Sequence, residues 1–232
     1  MRYPIIELRQ YALRPGQREV LIGLFDRELV ESQEALGMAI LGQFRDLDDP
    51  DRFVWLRGFT DMPGRAEALT AFYGGPVWKA HSTEANATMV DVDNVLLLRP
   101  AAARTAFPPP ADARPPVDHT APPRSAVLAT VYYRDRPFDG EFLDRFDSSV
   151  RPALLATGAA PVACLQTEYA ENTFPALPIR TGVHAFVWFA RFPDPAALDD
   201  HLHRPDPPAL STLITRSPQR LRLTPTARSL LR

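Results

Sequence analysis

The chain is poor in cysteine, in net charge and in long apolar runs. Its one cysteine among 232 residues, Cys164, cannot close an intrachain disulfide. That suits the reducing cytoplasm, and the expectation for Cys164 is a buried strand thiol. The formal net charge is −2, which gives neither a nucleic acid nor a membrane surface any general attraction. No apolar run approaches the ~20 residues of a membrane span. The opening MRYPIIELRQYAL is interrupted by Glu7 and Arg9, so it does not read as a secretory signal.

Chemical signatures are equally sparse. The glycines of FYGGP lack the strand–loop–helix context of a phosphate cradle or a dinucleotide fingerprint. No Cys/His ligand spacing occurs. His201 and His203 stand two apart in HLH, share no helical face and read as a surface pair. DLDDPD lacks the twelve-residue calcium pattern and reads as a solvated turn. No metal and no cofactor is predicted.

Proline is abundant instead, with 25 residues. Many fall in AAARTAFPPPADARPPVDHTAPPR, residues 101–124. Proline lacks the amide donor and fixes φ, so this stretch reads as an extended, semi-rigid linker. A docking motif for a proline-recognising module is the lesser alternative. The linker divides the chain into residues 1–100 and 125–232.

The two parts share a pattern. The first starts with an alternating strand around residues 5–12, followed by a helix with Leu21, Phe25 and Leu29 on one face and Gly37 at its end. Strands at 38–46 and 52–60 flank LDDPD, a helix runs from Pro63 to Tyr73, a short helix follows GGP, and VLLLR (95–99) is the last strand. The second part repeats this order: VLATVYY (127–133), a helix marked by Phe142, Phe146 and Val150, Gly158, two further strands and a strand near 220–224. Phe25-Asp26 matches Phe146-Asp147 at an offset of 121, and FVWLRGFTD matches FVWFARFPD at 133. The order β-α-β-β-α-β is the ferredoxin-like unit, whose sheet has helices on one face and needs a cover on the other. The expected fold class is therefore α+β: two ferredoxin-like repeats packed as an α/β barrel, helices outside. Pro161 falls in the second strand of its unit, which is expected at a sheet edge.

IIELRQYALRPGQ, LGMAILGQFRDLDDPDRFVWLRGF and AFYGGPVWKAHSTEANATMVDVDNVLLL, taken in that order, resemble the NIPSNAP family over residues 3–99. The resemblance implies a fold of the dimeric α/β-barrel superfamily, with a divergent second repeat. Relatives in that superfamily include cofactor-independent monooxygenases, cyclases and decarboxylases of secondary metabolism, haem-handling proteins and stress-response proteins. The family brings no agreed catalytic residues.

Strand alternation selects the candidates. Placing Ile6, Leu8, Val54 and Leu56 against the helices directs Glu7, Arg9, Tyr11, Trp55 and Arg57 into the barrel lumen, with Gln43 and Arg45 on a shared face. Arginine forks suit a carboxylate, and aromatic walls add apolar contact. His81 is the best lone acid–base group, with Trp78 on the same helical face. Glu7 is a second candidate base, although its arginine neighbours favour an ion pair. In the second part Trp55 becomes Trp188, Gln43 becomes Cys164, Arg45 becomes Gln166 and Arg57 becomes Ala190. A first-strand offset of 122 makes Glu7 Ala129 and Arg9 Val131, while Trp78 and His81 fall on Ser211 and Ile214. The expectation is one polar site, lined by the first part and lidded by the second.

The leading function is handling of a carbonyl- or carboxylate-bearing metabolite, as an oxygenase, cyclase, isomerase or decarboxylase without cofactor. Arg9, Arg45 and Arg57 would stabilise oxyanion charge, Tyr11, Trp55 and Trp78 would shape the pocket, and His81 would move the proton. The alternatives are a non-catalytic ligand-binding or interaction barrel, and haem binding through His81. A homodimer is possible; nucleic acid and membrane are not expected partners.

Overall fold

The computed structural model describes residues 3–110, 112–207, 209, 214 and 216–232. Ser211, the counterpart assigned to Trp78, lies outside them. In chain order the strands are β1 (Ile5–Leu13), β2 (Ala39–Asp46), β3 (Arg52–Phe59), β4 (Met89–Asp91), β5 (Val95–Pro100), β6 (Ala126–Arg134), β7 (Pro161–Thr167), β8 (His184–Phe192) and β9 (Gln219–Pro225). The α-helices are α1 (Arg18–Leu24), α2 (Val30–Glu34), α3 (Met62–Gly74), α4 (Pro76–Thr88), α5 (Gly140–Arg145), α6 (Arg151–Ala156) and α7 (Pro195–Leu202). A π-helical turn, Phe25–Leu29, joins α1 to α2, and another, Phe146–Val150, joins α5 to α6.

The sheet runs β3-β2-β9-β6-β8-β7-β5-β1 and closes through β3 and β1, while β4 hangs on β1. Every pairing is antiparallel, and a barrel closed in this way leaves no long free edge. Two seams join the halves: β2 to β9 through Phe44↔Pro225, Arg45↔Thr224 and Asp46↔Leu223, and β5 to β7 through Leu98↔Thr167, Arg99↔Gln166 and Pro100↔Leu165. Pro161 is therefore not on a sheet edge. It is tolerated because it opens β7 below the last β5 partner, beside a bulge.

Local sequence explains the elements. Asp61, Asp139 and Asp194 cap α3, α5 and α7 by accepting the backbone N–H three residues on. Gly37 and Gly158 take the left-handed conformation, φ +86° and +78°, that turns the chain from helix to strand.

The core is layered. The lumen holds Ile6, Leu8, Val54, Leu56, Leu96 and Leu98 from one half against Val127, Ala129, Val131, Val187, Phe189 and Leu221 from the other. An eight-stranded barrel is just wide enough for side chains to fill, and this one is filled with apolar groups. Outside the wall, helices cover each half separately. The proline-rich segment is anchored to the barrel rather than spanning free space. Phe107 packs on Phe189, ring centroids 5.0 Å apart, and Arg114 donates to Gln43 Oε1, Glu34 Oε1 and the carbonyls of Ile40 and Arg228.

Candidate functional site

The parity expected from alternation is inverted. Ile5, Tyr11, Phe53, Trp55 and Phe59 join the cluster beneath the helices, and Ile6, Leu8, Val54 and Leu56 fill the lumen. Glu7, Arg9 and Arg57 share the helix-facing register with Tyr11 and Trp55, since Glu7 stands opposite Arg57 and Arg9 opposite Trp55. The polar site thus lies between sheet and helices, and the reason is steric as well as dielectric. The lumen is already filled by apolar side chains from both halves, so the long arginines lie on the other side of the barrel wall.

At the centre Glu7, Arg9, Arg57 and Arg65 are all 0% exposed. Glu7 Oε2 accepts from Arg9 Nη1 (2.9 Å), Arg57 Nε (3.0 Å) and Arg57 Nη2 (2.7 Å), and Oε1 accepts from Arg65 Nε (2.8 Å). Burial alone would push the Glu7 carboxyl up, but Arg57, Arg9 and Arg65 outweigh it and hold the group well below the usual carboxylate range. Arg57 Nη1 donates to Gln33 Oε1 at 3.0 Å, and Arg9 Nε donates to the Tyr11 hydroxyl at 2.9 Å. Three guanidiniums against one carboxylate leave two positive charges in excess. Among the described residues, Arg9 Nη2 and the Trp55 indole N–H are buried without a partner.

Tyr11 and Trp55 line a cavity of about 80 Å³ whose other walls include Phe25, Gln33, Phe72, Tyr73, Trp78 and Leu177. The Arg9 and Arg57 guanidiniums stand behind the Trp55 ring, 5.6 and 4.9 Å from its centroid. The β7–β8 loop of the second half covers this side. Asn172 Oδ1 and Thr173 Oγ1 accept from Arg65 Nη1, Phe174 stacks on Tyr73 with centroids 5.7 Å apart, and Leu177 closes the wall.

The remaining candidates are dispersed. Trp78 reaches the cavity. His81 does not line it, and its Nε2 lies 3.6 Å from Glu28 Oε2. Arg45 pairs with Glu19 at 2.6 Å, and Gln43 donates to Asp26 Oδ1 at 2.5 Å, both beside a different cavity under α1. Gln33 and Arg65 were not among the sequence candidates, although spacing marks them. Gln33 extends the series Leu21, Phe25, Leu29, and Arg65 stands on the stripe Ala68, Leu69, Phe72.

The strand registers also correct the comparison of halves. Arg9 pairs with Trp55 as Thr130 pairs with Trp188, so the first-strand offset is 121, not 122. A slip of one residue exchanges the faces of a strand, and Ala129 and Val131 belong to the lumen. The counterparts of Glu7, Gln33, Arg57 and Arg65 are Leu128, Leu154, Ala190 and Leu198, all in one apolar cluster. At these positions the ionic network gives way to hydrocarbon, and at the position matching Arg9 to the neutral Thr130.

The NIPSNAP family profile matches residues 6–103. Residues 6–103 belong to the NIPSNAP family. This NIPSNAP half holds every member of the ionic network, while residues 104–232 supply the cover. A NIPSNAP-like domain protein from Burkholderia xenovorans is 24% identical over 47% of this chain and 95% of its own, with a TM-score of 0.42. Over nearly the whole chain the structure is similar to a proposed monooxygenase from Fusobacterium nucleatum, 11% identical, covering 97% of this chain and 93% of that one with a TM-score of 0.55. A second proposed monooxygenase, from Lactobacillus acidophilus, is 12% identical with coverages of 96% and 94% and a TM-score of 0.54. At such identities the likeness concerns the fold alone. No curated protein matches the chain. Among the described residues no group of His, Cys, Asp and Glu could hold a metal ion, and no helix is long and apolar enough to cross a membrane.

Proposed function

We propose that the NIPSNAP half is a binding site for a small molecule that presents a carboxylate on an apolar or aromatic body. The observation that carries this reading is the unbalanced buried charge. Burying a charge without a partner costs several kcal/mol (roughly 3–5 when one side of a buried pair is removed). The excess of two positive charges behind Tyr11 and Trp55 therefore calls for an anion that the chain does not itself provide. The Trp55 N–H and the Tyr11 hydroxyl are donors on the cavity wall, and arginine backs both. The cavity of about 80 Å³ takes the head group, and a larger body requires the loop bearing Phe174 and Leu177 to swing aside.

Binding accords better than catalysis with these groups. Glu7 is held ionised by four hydrogen bonds and is a poor base. His81 is engaged with Glu28 rather than the cavity. We also read the halves as two copies of one ferredoxin-like β-α-β-β-α-β unit. The order β5-β1-β3-β2 mirrored by β9-β6-β8-β7, and the paired π turns, support that reading.

The test is titration with benzoate, followed by tryptophan fluorescence. Saturable binding is expected for the wild type. Arg9→Met is expected to weaken it at least tenfold while preserving the fold, because Glu7 keeps Arg57 and Arg65. No saturable response to benzoate or acetate would overturn the proposal. So would an Arg9→Met protein that binds as before.

A further inference from the structure

The second half has a cavity of its own at the corresponding place. It measures about 250 Å³ and is lined by Thr130, Leu154, Trp188, His201, Arg220 and Asp206, among others. Trp188 is the counterpart of Trp55, and Leu154 of Gln33. In each half the residue paired across the strands with this tryptophan leaves a buried polar atom unpartnered among the described residues: Arg9 Nη2 in one and Thr130 Oγ1 in the other. Thr130 is 1% exposed. A buried hydroxyl on a cavity wall is costly to leave unpaired unless something in the cavity satisfies it.

We infer that this cavity is a second binding site, specific for a neutral hydroxyl-bearing aromatic of phenol size. The inference does not depend on the carboxylate site. Size comes first: a cavity of roughly 150 Å³ holds benzene, so about 250 Å³ takes a substituted ring. Charge comes next. Of the positions that match the ionic network of the other half, Leu128, Ala190 and Leu198 are apolar and Thr130 is neutral. At the mouth Arg220 Nη2 is bound by both Asp206 oxygens, at 2.6 and 2.5 Å, so those charges answer each other. His201 is half-buried, and its Nδ1 lies 2.8 Å from Thr157 Oγ1, which leaves Nε2 as the ring's other polar atom. His201 is thus no surface histidine. Burial, with help from Arg220, lowers its proton affinity, against Asp206. The Trp188 N–H is already spent on the Tyr132 hydroxyl at 2.9 Å. Among the described residues the Thr130 hydroxyl is the buried polar group of this wall that lacks a partner, and a phenol supplies both its partner and a ring to fill the space.

The experiment is fluorine NMR titration of the full chain with 4-fluorophenol and, separately, with 4-fluorobenzoate. Saturable phenol binding is expected in the wild type. Thr130→Val keeps the shape and removes the hydroxyl, and should weaken the phenol about threefold to tenfold, the value of one hydrogen bond, without changing benzoate. Ala153→Phe, which fills the cavity from α6, should abolish phenol binding. Absence of saturable phenol binding would overturn the inference. Equal phenol affinity in wild type, Thr130→Val and Ala153→Phe would overturn it as well, by placing the phenol elsewhere.

Discussion

Glu7 and Arg57 face each other across β1 and β3, and the single oxygen Oε2 accepts both Arg57 Nε and Nη2, at 3.0 and 2.7 Å. Arg9 and Arg65 converge on the same carboxylate. One acid therefore restrains three fully buried guanidiniums, and its removal should be felt more than that of any arginine. Glu7→Gln is expected to destabilise the protein by about 3–5 kcal/mol. Urea unfolding at neutral pH measures it, and a loss below about 1 kcal/mol would show that the guanidiniums are solvated.

The second half supplies its own control for that variant. Replacing the network by its counterparts, Glu7→Leu, Arg9→Thr, Gln33→Leu, Arg57→Ala and Arg65→Leu together, exchanges the ions for the neutral set that already packs around Trp188. Such exchanges are often neutral or stabilising by about 1–4 kcal/mol. The fivefold variant is expected to unfold at the wild-type urea concentration or above, and to have lost benzoate binding.

Asp26 gives a prediction in pH. Burial raises its carboxyl to about 6, and Arg228, the Gln43 hydrogen bond and Arg114 only partly oppose that. A raised folded value means that the stability held by the protonated group is complete below about pH 4 and lost as pH rises through about 6. Asp26→Asn should match the wild type at pH 4 and exceed it at pH 8 by roughly 3 kcal/mol. Denaturation at the two pH values is the check, and a constant difference would assign the effect to packing.

Phe174 reports on the cover. Its ring stacks on Tyr73 at 5.7 Å and 20°, and such pairs contribute about 0.5–1.5 kcal/mol. Phe174→Ala should speed benzoate release severalfold and leave the melting temperature almost unchanged. Stopped-flow displacement measures the release.

The barrel was legible because its punctuation is local. Gly37 and Gly158, the aspartate caps and the two FVW strands each require only a few neighbouring residues. The facing of the strands was not. In IIELRQYAL both sides of β1 are buried, so alternation lacks the usual polar and apolar contrast. Ile6 and Leu8 suit a lumen as well as they suit a helix. Only the opposing sheet, contributed by residues more than a hundred positions away, decides between them. Arg65 and Gln33 show the converse: the helical stripes Arg65-Ala68-Leu69-Phe72 and Leu29-Gln33 locate them inside before any contact is known.

On the proposed reading of the halves as two copies of one unit, the seams at β2–β9 and β5–β7 join within one chain what a symmetric pair would assemble from identical subunits. In an isologous pair every substitution arrives twice, once in each copy. Here a change at Arg9 leaves Thr130 untouched. On that reading the chain is free to place three buried arginines behind one chamber and neutral side chains at the matching positions of the other, so the binding proposed at one need not follow that proposed at its counterpart.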